Sequence, residues 1–280
     1  MRIAAALLAA MIAAMPAQAQ TAPPRTIDDM ACPHMPLISP ERTVMIVEPQ
    51  PHIAKQPPAS EADRTAYANW SKLDPSGVCW YREENRTVSP PTPHRVVFIG
   101  DSITQAWKPS VPALFTNDVI DRGVSGETTS QMLTRFRTDV LDLHPAVVHI
   151  MGGTNDIHSA PGTAMTRSNI ESMVELARAH HITVILGAVT PSAFIQGAPD
   201  PEFAARVIWL NAWLKDYAAK NGLIFVDYHT PLEGPDHGMR DGQSNDGIHP
   251  NRVAFEIMTP LARDAIAKAL RSRGRLPKAH

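Results

Sequence analysis

Four short segments of this chain carry residues whose types and spacing could do chemistry. Val96-Val97-Phe98-Ile99-Gly100-Asp101-Ser102-Ile103-Thr104 is an apolar, strand-like run that ends in Gly-Asp and presents one serine. Asp246-Gly247-Ile248-His249-Pro250 sets a carboxylate three residues ahead of an imidazole. Gly247 and Pro250 hold that stretch out of a regular helix. Arg122-Gly123-Val124-Ser125-Gly126-Glu127 and Gly152-Gly153-Thr154-Asn155-Asp156 are glycine-bearing turns. This set suits acyl transfer. The Ser102 hydroxyl would attack, His249 would take its proton, and Asp246 would orient the imidazole. A tetrahedral intermediate needs hydrogen-bond donors. The candidates are the backbone N–H of Ser102, the backbone N–H of Gly126 and the side-chain amide of Asn155. Gly126 has no side chain to block close approach of a substrate oxygen.

Each segment has a plainer reading when taken alone. Ser102 could simply be the N-cap of a short helix over Ile103–Trp107 that stops before Pro109. Asp246 and His249 could be turn residues, Gly126 could only shape a turn, and Asn155 could hold loop backbone at the start of a helix. Other histidines are weaker candidates. His158 could wall a pocket, His229 and His237 read as loop residues, and His180-His181 closes a helix whose dipole favours a cation. Asn85-Arg86-Thr87 matches a glycosylation sequon and reads as a coincidence.

The elements that must position these groups are legible in the apolar pattern. Strand-like runs at Val96–Ile99, Val119–Asp121, Ala146–Met151, Thr183–Val189 and Leu223–Tyr228 alternate with helical stretches. Thr128 with Gln131 forms a capping-box signature ahead of Met132, Phe136 and Val140. Ser168 with Glu171 repeats it ahead of Ile170, Met173, Val174 and Ala177. Phe203, Val207, Leu210, Leu214 and Tyr217 mark a long helix ending at Asn221-Gly222. Ala254, Met258, Leu261 and Ala265 mark the last helix. Alternating elements with near-continuous apolar strands predict a parallel sheet covered on both faces, a three-layer α/β/α domain. In such sheets functional groups collect beyond the carboxyl ends of the strands. The four segments fall at those ends: the first three directly follow strand runs, and Asp246–Pro250 lies beyond the fifth.

Upstream the character changes. Met1 to Ala19 has the pattern of a cleavable export signal: Arg2, an apolar stretch from Ile3 to Met15, and Ala17-Gln18-Ala19 as a small-x-small site with cleavage after Ala19. The apolar stretch is too short for a comfortable membrane span. The protein is therefore expected to be exported, periplasmic or secreted, without stable membrane insertion. Residues 20–60 form a proline-rich arm in which Thr43–Val47 could make one short strand. Residues 61–93 read as a helical extension, broken at Asp74-Pro75-Ser76-Gly77, that packs on a catalytic domain spanning 94–280. Cys32 and Cys79, the only cysteines, could form one bridge in an oxidising compartment. Two thiols alone make a poor zinc site, so neither metal nor other cofactor is expected. The 280 residues are 44% hydrophobic with a formal charge of −2. No basic run is dense enough to track phosphates, which argues against nucleic acid as a partner.

The four segments together resemble the blocks of the SGNH hydrolases, the GDSL esterase/lipase family, named for a serine, a glycine, an asparagine and a histidine. Ile103 stands where the GDSL tetrapeptide has leucine, and the resemblance covers roughly 94–269. It implies a flavodoxin-like fold with a five-stranded parallel sheet, in agreement with the five runs counted above. It implies Ser102 as nucleophile, His249 as base, Asp246 as its partner, and Ser102, Gly126 and Asn155 as the oxyanion hole. The Gly-x-Ser-x-Gly of α/β-hydrolases is absent, as is a phosphate-binding loop with its lysine. Short connections between the blocks favour a small, open pocket for short acyl esters, such as acetyl groups on carbohydrates or similar small substrates. Longer acyl chains, as taken by a lysophospholipase or thioesterase, are the enzymatic alternative. A non-catalytic cell-envelope binding module is the other.

Overall fold

The computed structural model describes residues 32, 47–49, 61–116, 118–159, 163–195 and 198–273. The expected export signal and most of the proline-rich arm lie outside them. The chain divides into units Met1–Cys32 and Pro33–His280, and the elements below belong to the second.

In order these are α1 (Glu61–Leu73), α2 (Arg82–Thr87), β1 (Val96–Gly100), α3 (Ser102–Ser110), β2 (Val119–Gly123), α4 (Thr129–Thr134), α5 (Phe136–Asp139), β3 (Val147–Met151), α6 (Thr154–Ser159), α7 (Thr163–Ala179), β4 (Thr183–Gly187), β5 (Phe194–Ile195), β6 (Ala198–Pro199), α8 (Pro201–Asn221), β7 (Ile224–Val226) and α9 (Arg252–Arg273). Five strands form one parallel sheet in the order β2-β1-β3-β4-β7. Alternate residues of its central strands point to opposite faces. Val97, Ile99, Val148, Ile150, Val184 and Leu186 join one core with residues of α4, α5, α7 and α8. Val96, Phe98, Val147 and Ile185 join the other with Trp107 of α3 and Phe255, Met258 and Ala262 of α9. Both faces are covered, so every residue of β1 and β3 is buried.

The register explains why the carboxyl ends can form one site. Gly100 lies beside Gly123 on one side and Met151 on the other. The loops after β1, β2 and β3 therefore start side by side. At the free edge of the sheet, β2 is blocked by local partners. The Gly123 N–H donates to the Asp121 carboxylate at 2.8 Å, and its carbonyl accepts from the Tyr81 hydroxyl at 2.5 Å. The Asp121 carbonyl accepts from the Arg122 guanidinium at 2.6 Å. An edge satisfied in this way offers little to an incoming strand.

Several boundaries differ from the sequence pattern. Helix α3 does not stop before Pro109 but runs to Ser110. The Val111 N–H reaches the Trp107 carbonyl at 2.8 Å and the Ser110 hydroxyl the Ala106 carbonyl at 2.7 Å, closing the last turn around the proline. The Thr128–Gln131 capping contact is present at 2.9 Å, but α4 and α5 are separate short helices. Helix α7 begins five residues before Ser168, whose carbonyl instead accepts from the Ser172 hydroxyl within the helix. The β5–β6 hairpin was not signalled by the pattern. Of the short strand expected over Thr43–Val47, only Val47 lies among the described residues, and it is buried in a helical conformation. Cys32 and Cys79 are both disulfide-bonded.

Candidate active site

Asp101, not Ser102, caps α3: its side chain accepts the Ile103 N–H at 2.9 Å. Ser102 is the first residue of the helix. In that first turn backbone N–H groups have no intrahelical acceptor, and the macrodipole is positive. Burial pushes the Asp101 carboxyl up to about 6, against the pull of the Ile103 N–H and of His249.

The structure brings Ser102, His249 and Asp246 together. Ser102 Oγ lies 2.8 Å from His249 Nε2, and His249 Nδ1 lies 2.7 Å from Asp246 Oδ2. With its proton on Nδ1 donated to the carboxylate, the neutral imidazole presents Nε2 as an acceptor for the serine hydroxyl. The other oxygen of Asp246 accepts the N–H groups of Ile248 at 2.9 Å and His249 at 2.8 Å. Burial alone would raise this carboxyl, but the hydrogen bond and charge of His249 with the two backbone N–H groups outweigh it and hold it at about 2. It stays ionised. The loop is fixed from beneath: the Ser192 hydroxyl donates to the Gly247 carbonyl at 2.9 Å. Gly247 has φ +82°, and a Cβ there would lie 2.9 Å from the Phe194 ring.

The oxyanion candidates come from the neighbouring loops. Gly126 is exposed at φ 81°, a conformation that costs a non-glycine residue strain. Its loop is pinned at the Val124 N–H to the Gly100 carbonyl, 3.0 Å, and at the Ser125 N–H to Gln105 Oε1, 2.9 Å. Asn155 is half-buried and donates one amide hydrogen to the Glu127 carbonyl at 2.9 Å. A carboxamide has a second N–H to offer. Next to it, buried Asp156 accepts from the Thr129 N–H at 2.9 Å, the Thr129 hydroxyl at 2.5 Å and the Thr166 hydroxyl at 3.1 Å. That carboxylate joins the third loop to α4 and α7.

Other histidines among the described residues have the following surroundings. His158 is exposed in the last turn of α6, His237 pairs with Glu233 at 2.7 Å, and His229 is buried, which lowers its pKa. His149, unremarked in the sequence, is fully buried on β3. It is stacked on Phe98 and 3.0 Å from the Tyr228 hydroxyl. Among the described residues no group of three or more His, Cys, Asp or Glu side chains is arranged to hold a metal ion, and no helix is long and apolar enough to cross a membrane.

Sequence reasoning did not single out Arg135, took Glu127 only as part of its glycine-bearing turn, and read Thr190-Pro191-Ser192 as the less telling strand end. Ser192 had one signal, its place beyond the carboxyl end of β4. Arg135 is wholly buried. It contacts Glu127 Oε2 at 2.6 Å, Asp139 Oδ2 at 2.9 Å and the Gly100 carbonyl at 3.0 Å. Burial raises the Glu127 carboxyl to about 8: one guanidinium is shared between two buried carboxyls, and the cluster retains a proton.

A serine, histidine and aspartate joined in this order, beside candidate donors from adjoining loops, form an arrangement able to carry nucleophilic acyl transfer. The sequence profile of the GDSL-like lipase/acylhydrolase family matches residues 98–256. A GDSL-like lipase from Bacteroides thetaiotaomicron VPI-5482 is 38% identical, over 69% of this chain and 98% of that one, with a TM-score of 0.65. A second structure, from Bacteroides fragilis NCTC 9343, is also 38% identical, over 70% and 98%, with a TM-score of 0.64. An acetylxylan esterase from Geobacillus stearothermophilus shares the fold at 20% identity, over 63% and 95%, with a TM-score of 0.51. The uncharacterized lipoprotein YqeF of Bacillus subtilis (strain 168) is 36% identical over 80 residues, and that match spans 33% of YqeF. With the profile spanning more than half of its length, the chain belongs to the GDSL-like lipase/acylhydrolase family.

Proposed function

We propose that the protein is an exported serine esterase that hydrolyses carboxylic esters through an acyl-enzyme. The continuous chain from Ser102 Oγ through His249 to Asp246, at 2.8 and 2.7 Å, carries this reading. His249 Nε2 takes the hydroxyl proton as Ser102 Oγ bonds to the ester carbonyl carbon. The N–H groups of Ser102 and Gly126 and the Asn155 amide hold the resulting oxyanion. Collapse of the intermediate breaks the ester C–O bond, and the imidazolium returns its proton to the leaving alcohol. Water, deprotonated by the same imidazole, then releases the acid and restores Ser102. In this reading residues 94–280 form the hydrolase domain with 61–93 packed on it, and residues 1–19 are its export signal.

Short acyl esters of carbohydrates, acetyl groups above all, fit the exposed Gly126 and the short connections between the blocks. The fold shared with an acetylxylan esterase agrees. The test is a chain-length series of aryl esters together with acetylated oligosaccharides, run beside Ser102→Ala. Acetate should be the best acyl group and Ser102→Ala should abolish turnover and fluorophosphonate labelling. Preference for octanoate would move the substrate class to lysophospholipids or acyl thioesters. Full activity in Ser102→Ala would end the serine mechanism.

A further inference from the structure

The oxyanion loops are braced by a segment that precedes the family region, and one buried side chain links the braces. The turn after α1 is built on Asp74, whose carboxylate accepts the Val78 N–H at 3.0 Å and the Cys79 N–H at 2.7 Å. This turn sets Gly77, at φ +66°, against the Glu127 carboxyl, where a Cβ would come within 2.3 Å of Oε1. The Pro75 carbonyl accepts from Gln131 Nε2 at 2.8 Å. Buried Tyr81 donates to the Gly123 carbonyl at 2.5 Å, three residues ahead of Gly126. Asn85 donates to Asp139 Oδ1 at 2.7 Å and accepts from Arg122 Nε at 2.8 Å. Arg122 in turn lies over the Tyr81 ring, 4.5 Å from its centroid.

These contacts converge on Arg135. Its guanidinium holds the Gly100 carbonyl at the end of β1, the Glu127 carboxyl beyond β2 and Asp139 on α5. The Glu127 carbonyl holds the Asn155 amide beyond β3. The bonds of Arg135 and of Tyr81 in this route are buried, where such bonds are strongest and least compliant. We infer that Arg135 and the segment Asp74–Asn85 are positioning elements of the oxyanion hole. Arg135 acts through Glu127 on Asn155, and Tyr81 acts through Gly123 on the Gly126 turn. The inference rests on the assignment of Gly126 and Asn155 as oxyanion donors. It makes a stretch outside the 98–256 family region part of the machinery that sets turnover. Arg135 and Tyr81 are both buried, so each acts through its neighbours.

The test is steady-state kinetics on an aryl acetate, with rates expressed per site titrated by a fluorophosphonate and with melting curves in parallel. Arg135→Lys keeps the charge and loses the planar fork. It should lower kcat about tenfold with KM changed by less than about twofold, since a displaced donor weakens only the transition state. In an Asn155→Ala background the same substitution should cost less than about twofold, because its route to the oxyanion has been removed. Tyr81→Phe deletes one hydroxyl and decides the case alone if Arg135→Lys does not fold. It should lower kcat several-fold at unchanged KM. Per-site kcat equal to wild type in both variants would overturn the inference, as would equal losses from Arg135→Lys in both backgrounds. Those would be losses of packing, not of positioning. Wild-type kcat in Asn155→Ala alone would instead remove the oxyanion assignment, and the inference with it.

Discussion

At the scale of single residues, the site is organised by what each group must be prevented from doing. His249 must not rotate or take the wrong tautomer. Asp246 is placed to prevent both, with one oxygen 2.7 Å from Nδ1 and the other accepting two backbone N–H groups. Asp246→Asn replaces that acceptor with a group able to present N–H, so the imidazole would turn its proton toward Ser102. We expect kcat to fall on the order of 10⁴-fold with the fold retained, measured on an aryl acetate beside a circular dichroism melt. If His249 is the base, activity should also fall on acidification, and a rate that stays flat until the protein unfolds in acid would count against that role. The three residues that the structure brings together were legible because Ser102 follows a buried strand and Asp246 and His249 share one loop. Glu127 and Arg135 were not. Glu127 reads as one more turn residue beside Gly126, and Arg135 as a surface cation between Met132 and Phe136. Asp139 lies only four residues on, but the contacts with Glu127 and with Gly100 at the end of β1 are made by the fold, and they account for a guanidinium wholly buried.

At the scale of elements, the sequence showed where strands end better than how loops are held. Strand ends were legible because burial on two faces demands unbroken apolar runs, and polar residues halt them abruptly. The continuation of α3 through Pro109 was not, since the compensating Ser110–Ala106 and Val111–Trp107 bonds depend on three-dimensional closure. The β5–β6 hairpin is likewise too short to leave a periodic trace. It matters because it sets Phe194 against Gly247. A side chain at Gly247 would meet that ring and adopt a left-handed conformation, storing about 1–3 kcal/mol of strain. A shift of the adjoining Ile248 and His249 would relieve it. Gly247→Ala should therefore lower kcat by about 10²-fold while the melting temperature falls by only a few degrees. A large loss of stability with per-site kcat intact would show that the loop absorbs the strain elsewhere.

At the scale of the whole molecule, buried ionisable groups set stability against activity. Burial raises Asp101 to about 6, Asp121 to about 7 and Glu127 to about 8. For each, the folded protein holds a proton that the unfolded chain releases near pH 4. Stability from these groups is complete below that pH and is lost as pH rises through the folded values. His149 works in the opposite sense. Burial lowers it to about 3, so its contribution is present above the unfolded value of about 6.5 and is lost as pH falls. His229, also lowered by burial, adds to it. Between pH 5 and pH 8 these groups oppose one another; the imidazoles stop contributing near 6.5 and Asp101 near 6, while Asp121 and Glu127 continue to about 7 and 8. The melting temperature should therefore fall from pH 5 to pH 8. Asp121→Asn isolates the effect, since its amide oxygen can still accept the Gly123 N–H at the sheet edge. The variant should melt with a shallower dependence on pH and gain on the wild type at pH 8. A melting temperature that rises toward pH 8 in the wild type, or an equal slope in the variant, would mean that these carboxyls are ionised in the folded protein. Their burial would then have to be offset by partners such as Arg135 and Lys108 acting together.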